Sequence, residues 1–180
     1  VLYAALFSLP APFLPIHLLF INLLTDSLPA IAIGLEPHNK KLMKEKPRNI
    51  HEPLLNKKFV TQVGFEGLII AAVTIIAFQI GLSTGSTAVA TTMAFATLAL
   101  SELVHVFNVR DNKKSIFSSN PFNNGMLLLA IGASAGLMLL VLLVPFLQEI
   151  FSIANLFAYP AKLLEVIALV FAPLLIVEIF

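Results

Sequence analysis

The stretch Asn22–Pro37, NLLTDSLPAIAIGLEP, sets an amide, a hydroxyl and a carboxylate inside a run otherwise apolar enough for lipid. An ionised Asp near the centre of a membrane helix costs roughly 2.5–3.5 kcal/mol on insertion scales. On a helix Asn22 and Asp26 share a face, with Thr25 beside them. Pro29 has no N–H to give the Thr25 carbonyl, and its ring clashes with that group. The helix is therefore expected to bend or open there, leaving the Thr25 carbonyl unpaired. Such an oxygen is tolerated at membrane depth only against protein or a water-filled cavity. The segment thus offers amide, hydroxyl, carbonyl and carboxylate oxygens within one turn. Those are hard ligands, suited to calcium, sodium or potassium and poorly suited to copper or zinc. The competing reading is a structural polar patch, with Asp26 bonded to a neighbouring helix.

Outward from this segment the chain is apolar throughout. Hydrophobic residues make up 58% and charged residues 12%, about half the charged share of ordinary soluble domains. Apolar stretches of about twenty residues recur, each long enough to cross a hydrocarbon core about 30 Å thick. An all-α polytopic membrane bundle follows, with spans expected at 16–36, 59–81, 88–108, 124–146 and 161–180. Residues 1–9 look like the end of a preceding helix. The start at Val1 and the end inside an apolar run at Phe180 suggest a piece of a longer chain, and the opening run lacks the basic flank of a secretory signal.

Seven of the eleven Lys and Arg residues lie between Lys40 and Lys58, and Arg110, Lys113 and Lys114 follow the third span. The connections 82–87 and 147–160 contain none. Basic loops stay in the cytoplasm, so 37–58 and 109–123 are expected inside, the first span running inward and the C-terminus cytoplasmic. Nucleic-acid binding is not expected of such loop clusters. The absence of cysteine removes disulfides and thiolate metal sites.

Pro10, Pro12 and Pro15 mark a tight outer turn, Ser83–Thr87 a short one, and Asn120-Pro121 an extended entry to the fourth span. No internal repeat is visible. A second intramembrane acid, Glu102, lies in TLALSELVHVFN, too deep to snorkel and able to meet Asp26 across the bundle. It reads as an ion ligand or proton acceptor; the alternative is a buried carboxyl bonded to a helix partner. His105, and Asn108 beyond it, lie on a similar face, His105 reading as a packing or hydrogen-bonding residue. Glu66 is expected to bond between helices, while Glu165 and Glu178 sit near span ends. Gly132 and Gly136 have the GxxxG spacing and suggest close helix packing. With no Trp, Tyr3 and Tyr159 make little of an aromatic belt. No Gly-rich phosphate loop or nucleophile–base pair is present, so the segment by itself is not expected to catalyse a reaction.

NLLTDSLPAIAIGLEP resembles the sixth transmembrane helix of P-type cation-transporting ATPases, most of all their calcium-pump branch. KPRNIHEPL resembles the basic loop after that helix, and LSELVHVFN is similar to the eighth. The resemblance covers essentially all 180 residues. It implies the C-terminal half of such a pump's membrane domain, spans six to ten with the end of span five. Pumps of this kind phosphorylate a cytoplasmic Asp from ATP and couple this to alternating access at membrane sites. By motif match Asn22, Thr25 and Asp26 would ligate the transported cation, Asp26 contributing to two adjacent sites. Glu102 falls where two-site calcium pumps carry a carboxylate. The loop from Lys40 to Lys58 would help couple the phosphorylated domain to the helices.

The resemblance also sets limits. The family's other ligands lie in helices four and five, upstream of Val1, and ATP and magnesium would act only through cytoplasmic domains that are absent here. The expected partners are those domains, the remaining helices and the bilayer. Ser27 stands where many calcium pumps have Gly, which should make unwinding less easy. Calcium, needing six to eight oxygens, fits the Asn-Thr-Asp set plus Glu102. The alternatives are a sodium, potassium or proton pump of the same fold, or a membrane scaffold or transporter half.

Overall fold

A computed structural model describes residues 1–35, 55–110 and 124–179, and among them the chain is helical with no strand. The basic segment Lys40–Arg48, KPRNIHEPL and Asn120-Pro121 lie outside the described residues. The helices are α1 (Leu2–Leu6), α2 (Pro15–Phe20), α3 (Ser27–Gly34), α4 (Lys57–Leu82), α5 (Thr87–Val109), α6 (Gly125–Leu143), α7 (Pro145–Phe151) and α8 (Pro160–Ile179). A widened turn, Ile21–Asp26, joins α2 to α3 without interrupting the helix. Five helices are long and apolar enough to cross a membrane: Pro15–Gly34, Lys57–Leu82, Thr87–Val109, Gly125–Leu143 and Pro160–Glu178. The all-α polytopic bundle expected from hydropathy is the architecture observed.

Local chemistry starts and stops these helices. Three of the long ones open on a side chain that accepts a free N-terminal amide: Asn56 from Phe59, Ser86 from Val89, and Asn124 from Leu127. The fourth span ends at Leu143, three residues before the limit expected from hydropathy. Val144 is extended ahead of Pro145, as a residue before proline prefers. Pro145 then opens the short α7, where its missing N–H costs nothing. The outer connection is therefore structured, with α7 followed by a 3₁₀ turn at Leu156–Ala158.

The centre of the bundle is α5. Its side chains Val89, Met93, Phe95, Ala96 and Ala99 are at most 1% exposed, and it packs against α4, α6, α8 and the widened turn. Thr92 ties the outer connection to it. Its hydroxyl donates to Ala88 at 2.6 Å and accepts from the Ala154 amide at 2.8 Å. His17, which hydropathy does not single out, is fully buried at the outer end of the first span. Its Nδ1 accepts from the Leu14 amide at 3.2 Å, and Nε2 donates to the Phe151 carbonyl at 2.7 Å. The ring stacks on Phe95 at 4.6 Å. One neutral imidazole thus caps α2 and pins α7 to the bundle.

The glycines correct one expectation. A Cβ at Gly132 or Gly136 would meet nothing within 4 Å, so this pair makes no close approach among the described residues. The buried residue of that stretch is Ser134, 0% exposed. Close approach occurs instead at Gly81, where a Cβ would overlap the Ala90 backbone and come within 2.9 Å of its nitrogen. Gly81→Ala should therefore destabilise the α4–α5 hairpin by about 1–3 kcal/mol through overpacking. Gly136→Ala should be neutral. Thermal denaturation of the full-length protein in detergent checks the contrast, with a lowered midpoint for the first variant only.

Candidate intramembrane cation site

The polar segment of the first span keeps its helix closed. Pro29 lies inside α3, and the departure from α geometry falls one turn earlier, as i→i+5 bonding over Ile21–Asp26. The helix therefore does not open at the proline; the irregularity is a widened turn upstream of it. A local π adjustment is one way a membrane helix accommodates a proline ring and its missing donor. Side-chain hydroxyls then satisfy carbonyls around the wide turn. Thr25 donates to Ile21 at 2.8 Å, Ser27 to Asn22 at 2.8 Å, and Ser134 of α6 to Leu24 at 2.6 Å.

The wide turn advances less per residue than an α turn, so it changes which side chains share a face. Thr25 is buried against α5, and its hydroxyl lies 3.5 Å from Oε2 of Glu102. Its single proton goes to the shorter bond with Ile21, leaving a lone pair toward Glu102. Two carboxyls that face one cavity, as Asp26 and Glu102 do, repel when both are ionised unless a cation or a shared proton lies between them. Thr25, Asp26, Pro29, Glu102 and His105 line a cavity of about 230 Å³. Glu102 also reaches a second, largely apolar cavity of about 770 Å³ between α1, α4 and α5. Of the four residues singled out from sequence, the structure brings Thr25, Asp26 and Glu102 together. Asn22 is exposed and does not line the cavity.

Beside this site runs a second polar system. His105 Nε2 lies 3.2 Å from Glu66 Oε2, joining α5 to α4, and Gln62 donates to Glu66 Oε1 at 2.9 Å. Glu66 thus makes an interhelical bond, and His105 is its hydrogen-bonding partner. Asn108 donates to the Leu174 carbonyl of α8 at 3.4 Å. Glu165 pairs with Lys162 at 3.0 Å, one turn away on α8. The residues that sequence reasoning missed are Ser134 and His17. A hydroxyl centred in the GASAG stretch was the available signal for the first; a lone His in the first turn after Pro15 was a faint one for the second.

Chemically, the cluster offers carboxyl and hydroxyl oxygens from two helices. Among the described residues no group of three or more His, Cys, Asp or Glu side chains could hold a metal by itself. These features define the class as a multi-pass membrane bundle with carboxyl and hydroxyl oxygens gathered inside its span.

Residues 10–180 match the family described as cation transporting ATPase, C-terminus, and the chain belongs to that family. It is 43% identical over 152 residues to a calcium-transporting ATPase of Bacillus subtilis, covering 83% of this chain and 17% of the relative. A calcium-transporting ATPase 1 of Bacillus cereus is 36% identical over 167 residues, 83% of this chain and 19% of the relative. A calcium-transporting ATPase 1 of Lactococcus lactis is 35% identical over 148 residues, 82% and 17%. The chain therefore spans less than a fifth of these relatives' length.

The Glu66–His105 pair yields a stability prediction. His105→Leu leaves the largely buried Glu66 carboxyl with Gln62 alone, which should cost about 1–3 kcal/mol. Adding Glu66→Leu removes the stranded group and should recover part of the loss. Melting midpoints of the two full-length variants in detergent check both steps.

Proposed function

We propose that this chain is the C-terminal half of the membrane domain of a P-type pump that exports calcium from the cytoplasm. It supplies spans six to ten and the end of span five. The observation that carries the reading is the meeting of Thr25, Asp26 and Glu102, from two spans, around one cavity. The names of the similar proteins support calcium as the transported ion.

On this reading Asp26 and Glu102 supply charge, Thr25 supplies a neutral oxygen, and Asn22 joins as a ligand from the exposed side of the same helix. Calcium takes six to eight oxygens, more than these four residues provide, so upstream helices complete the shell. Asn22 and Asp26 are both exposed, which leaves their side of the first span open to such helices. Binding of the cation relieves the repulsion between the two acids; its release requires that a proton or an altered geometry take over. The chain's own residues hold the ion, while phosphoryl transfer from magnesium-bound ATP belongs to cytoplasmic domains of the same protein. The protein lies in the cell membrane, with the basic segments 37–58 and 109–123 and the C-terminus on the cytoplasmic side.

The test is cation-dependent phosphoenzyme formation by the full-length protein. Wild type should label only with calcium, and Asp26→Asn should abolish that labelling. Glu102→Gln should halve the calcium bound per phosphoenzyme if two sites exist. Unchanged stoichiometry would make Glu102 structural. Labelling that ignores calcium and follows sodium, potassium or pH would keep the fold and overturn the ion. No labelling under any cation would refute the pump.

A further inference from the structure

We propose that Ser134 and Ser27 are positioning residues for the cation site, their hydroxyls fixing the wide turn in the register that aims Thr25 and Asp26 at Glu102. The proposal rests on the cation-pump reading above and adds to it a role for α6, which contributes no acid to the cluster.

Three hydroxyls serve three carbonyls around one turn: Thr25 on Ile21, Ser27 on Asn22, and Ser134 on Leu24. Where i→i+5 bonding hands back to i→i+4, the amide ladder shifts by a residue, and carbonyls at the junction need donors from elsewhere. Without such donors a buried carbonyl in an apolar setting favours closing back to an ordinary α turn. The bond from Ser134 is the shortest of the three and comes from a different span. It is also deeply enclosed, Ser134 being 0% exposed. It is not isolated. At the start of the same helix Asn124 donates to the Ala32 carbonyl at 3.2 Å while capping α6. So α6 grips the first span at two levels, both times through main-chain oxygens.

The consequence for the site is directional. An α turn in place of the wide turn would rotate Thr25 relative to Asp26 and withdraw it from the 3.5 Å contact with Glu102. Ser27 adds a second tie: its hydroxyl holds the Asn22 carbonyl at 2.8 Å within the same helix.

The experiment compares Ser134→Ala, Ser134→Cys and Ser27→Ala in the full-length protein, with Ala133→Ser on the exposed side of α6 as control. Two quantities are read: the calcium concentration giving half-maximal phosphoenzyme from ATP, and the maximal phosphoenzyme formed from inorganic phosphate without calcium. Ser134→Ala and Ser27→Ala should each raise half-saturating calcium roughly three- to tenfold, the loss of about one hydrogen bond. The phosphate-derived maximum should stay at wild type. Ser134→Cys, a weaker donor of similar size, should shift less than alanine, and the control should not shift. Unchanged half-saturation in a well-expressed Ser134→Ala, or a fall only in the phosphate-derived maximum, overturns the proposal. If Ser134→Ala does not fold, Ser27→Ala decides it: the expected shift supports the proposal, and wild-type half-saturation overturns it. Wild type that forms no phosphoenzyme with any cation refutes the pump reading itself, and the proposal with it.

Discussion

Hydrocarbon offers a helix no spare hydrogen-bond donors, so every carbonyl of a membrane span must find its partner inside the protein. The first span obeys that constraint in an irregular way, and much of the site depends on it. Pro29 removes one amide from the ladder, and the turn before it is widened over Ile21–Asp26. An unsatisfied buried carbonyl costs several kcal/mol in lipid, while a formed bond contributes about 1 kcal/mol net. The hydroxyls of Thr25, Ser27 and Ser134 therefore matter chiefly because they give the Ile21, Asn22 and Leu24 carbonyls a donor. With those partners in place the wide turn is a stable conformation, and Thr25 points into the bundle.

The neighbouring α5 carries two adjoining polar systems, with His105 facing both Glu66 and the cavity of Glu102. Small and apolar residues such as Ala90, Ala94, Ala96 and Ala99 fill its buried surface, letting α4 and α8 come close. His105 is spent on Glu66 and thereby braces α5 against α4. Glu102, one turn earlier, is left to the cavity it shares with Thr25 and Asp26. A carboxyl already committed to an interhelical bond would be a poor ligand. Separating the brace from the site by a single turn keeps Glu102 free for Asp26 while its helix is held in place.

How much of this was legible in the sequence varied with the physics involved. Span existence followed from hydropathy, because length and apolarity alone decide whether a helix can cross the membrane. The convergence of Asp26 with Glu102 was legible too, since acids at such depth must face a partner inside the bundle. The response to Pro29 was not. Proline rules say that a bond is lost, but not whether the helix bends, opens or widens upstream, and that depends on donors such as Ser134, far away in sequence. The GxxxG pair misled because spacing cannot tell which face of a helix is buried. Helix α7 was missed because seven residues opened by a proline carry too short a periodic signal.

The arrangement separates two tasks that a cation site must reconcile. On the proposed reading, binding needs charge and oxygen, which Asp26, Glu102 and Thr25 provide; precision needs a backbone that holds those groups at fixed angles. The acids cannot supply the second, because their mutual repulsion changes with every cation or proton that arrives or leaves. Hydroxyl-to-carbonyl bonds are neutral, so their strength is nearly indifferent to the charge in the cavity. A site that changes occupancy repeatedly is best framed by such bonds, and here one of them comes from Ser134 on a separate span, α6. On the proposed reading, the exposed side of that helix, carrying Asn22 and Asp26, is then free to meet the other helices whose movement alters the site.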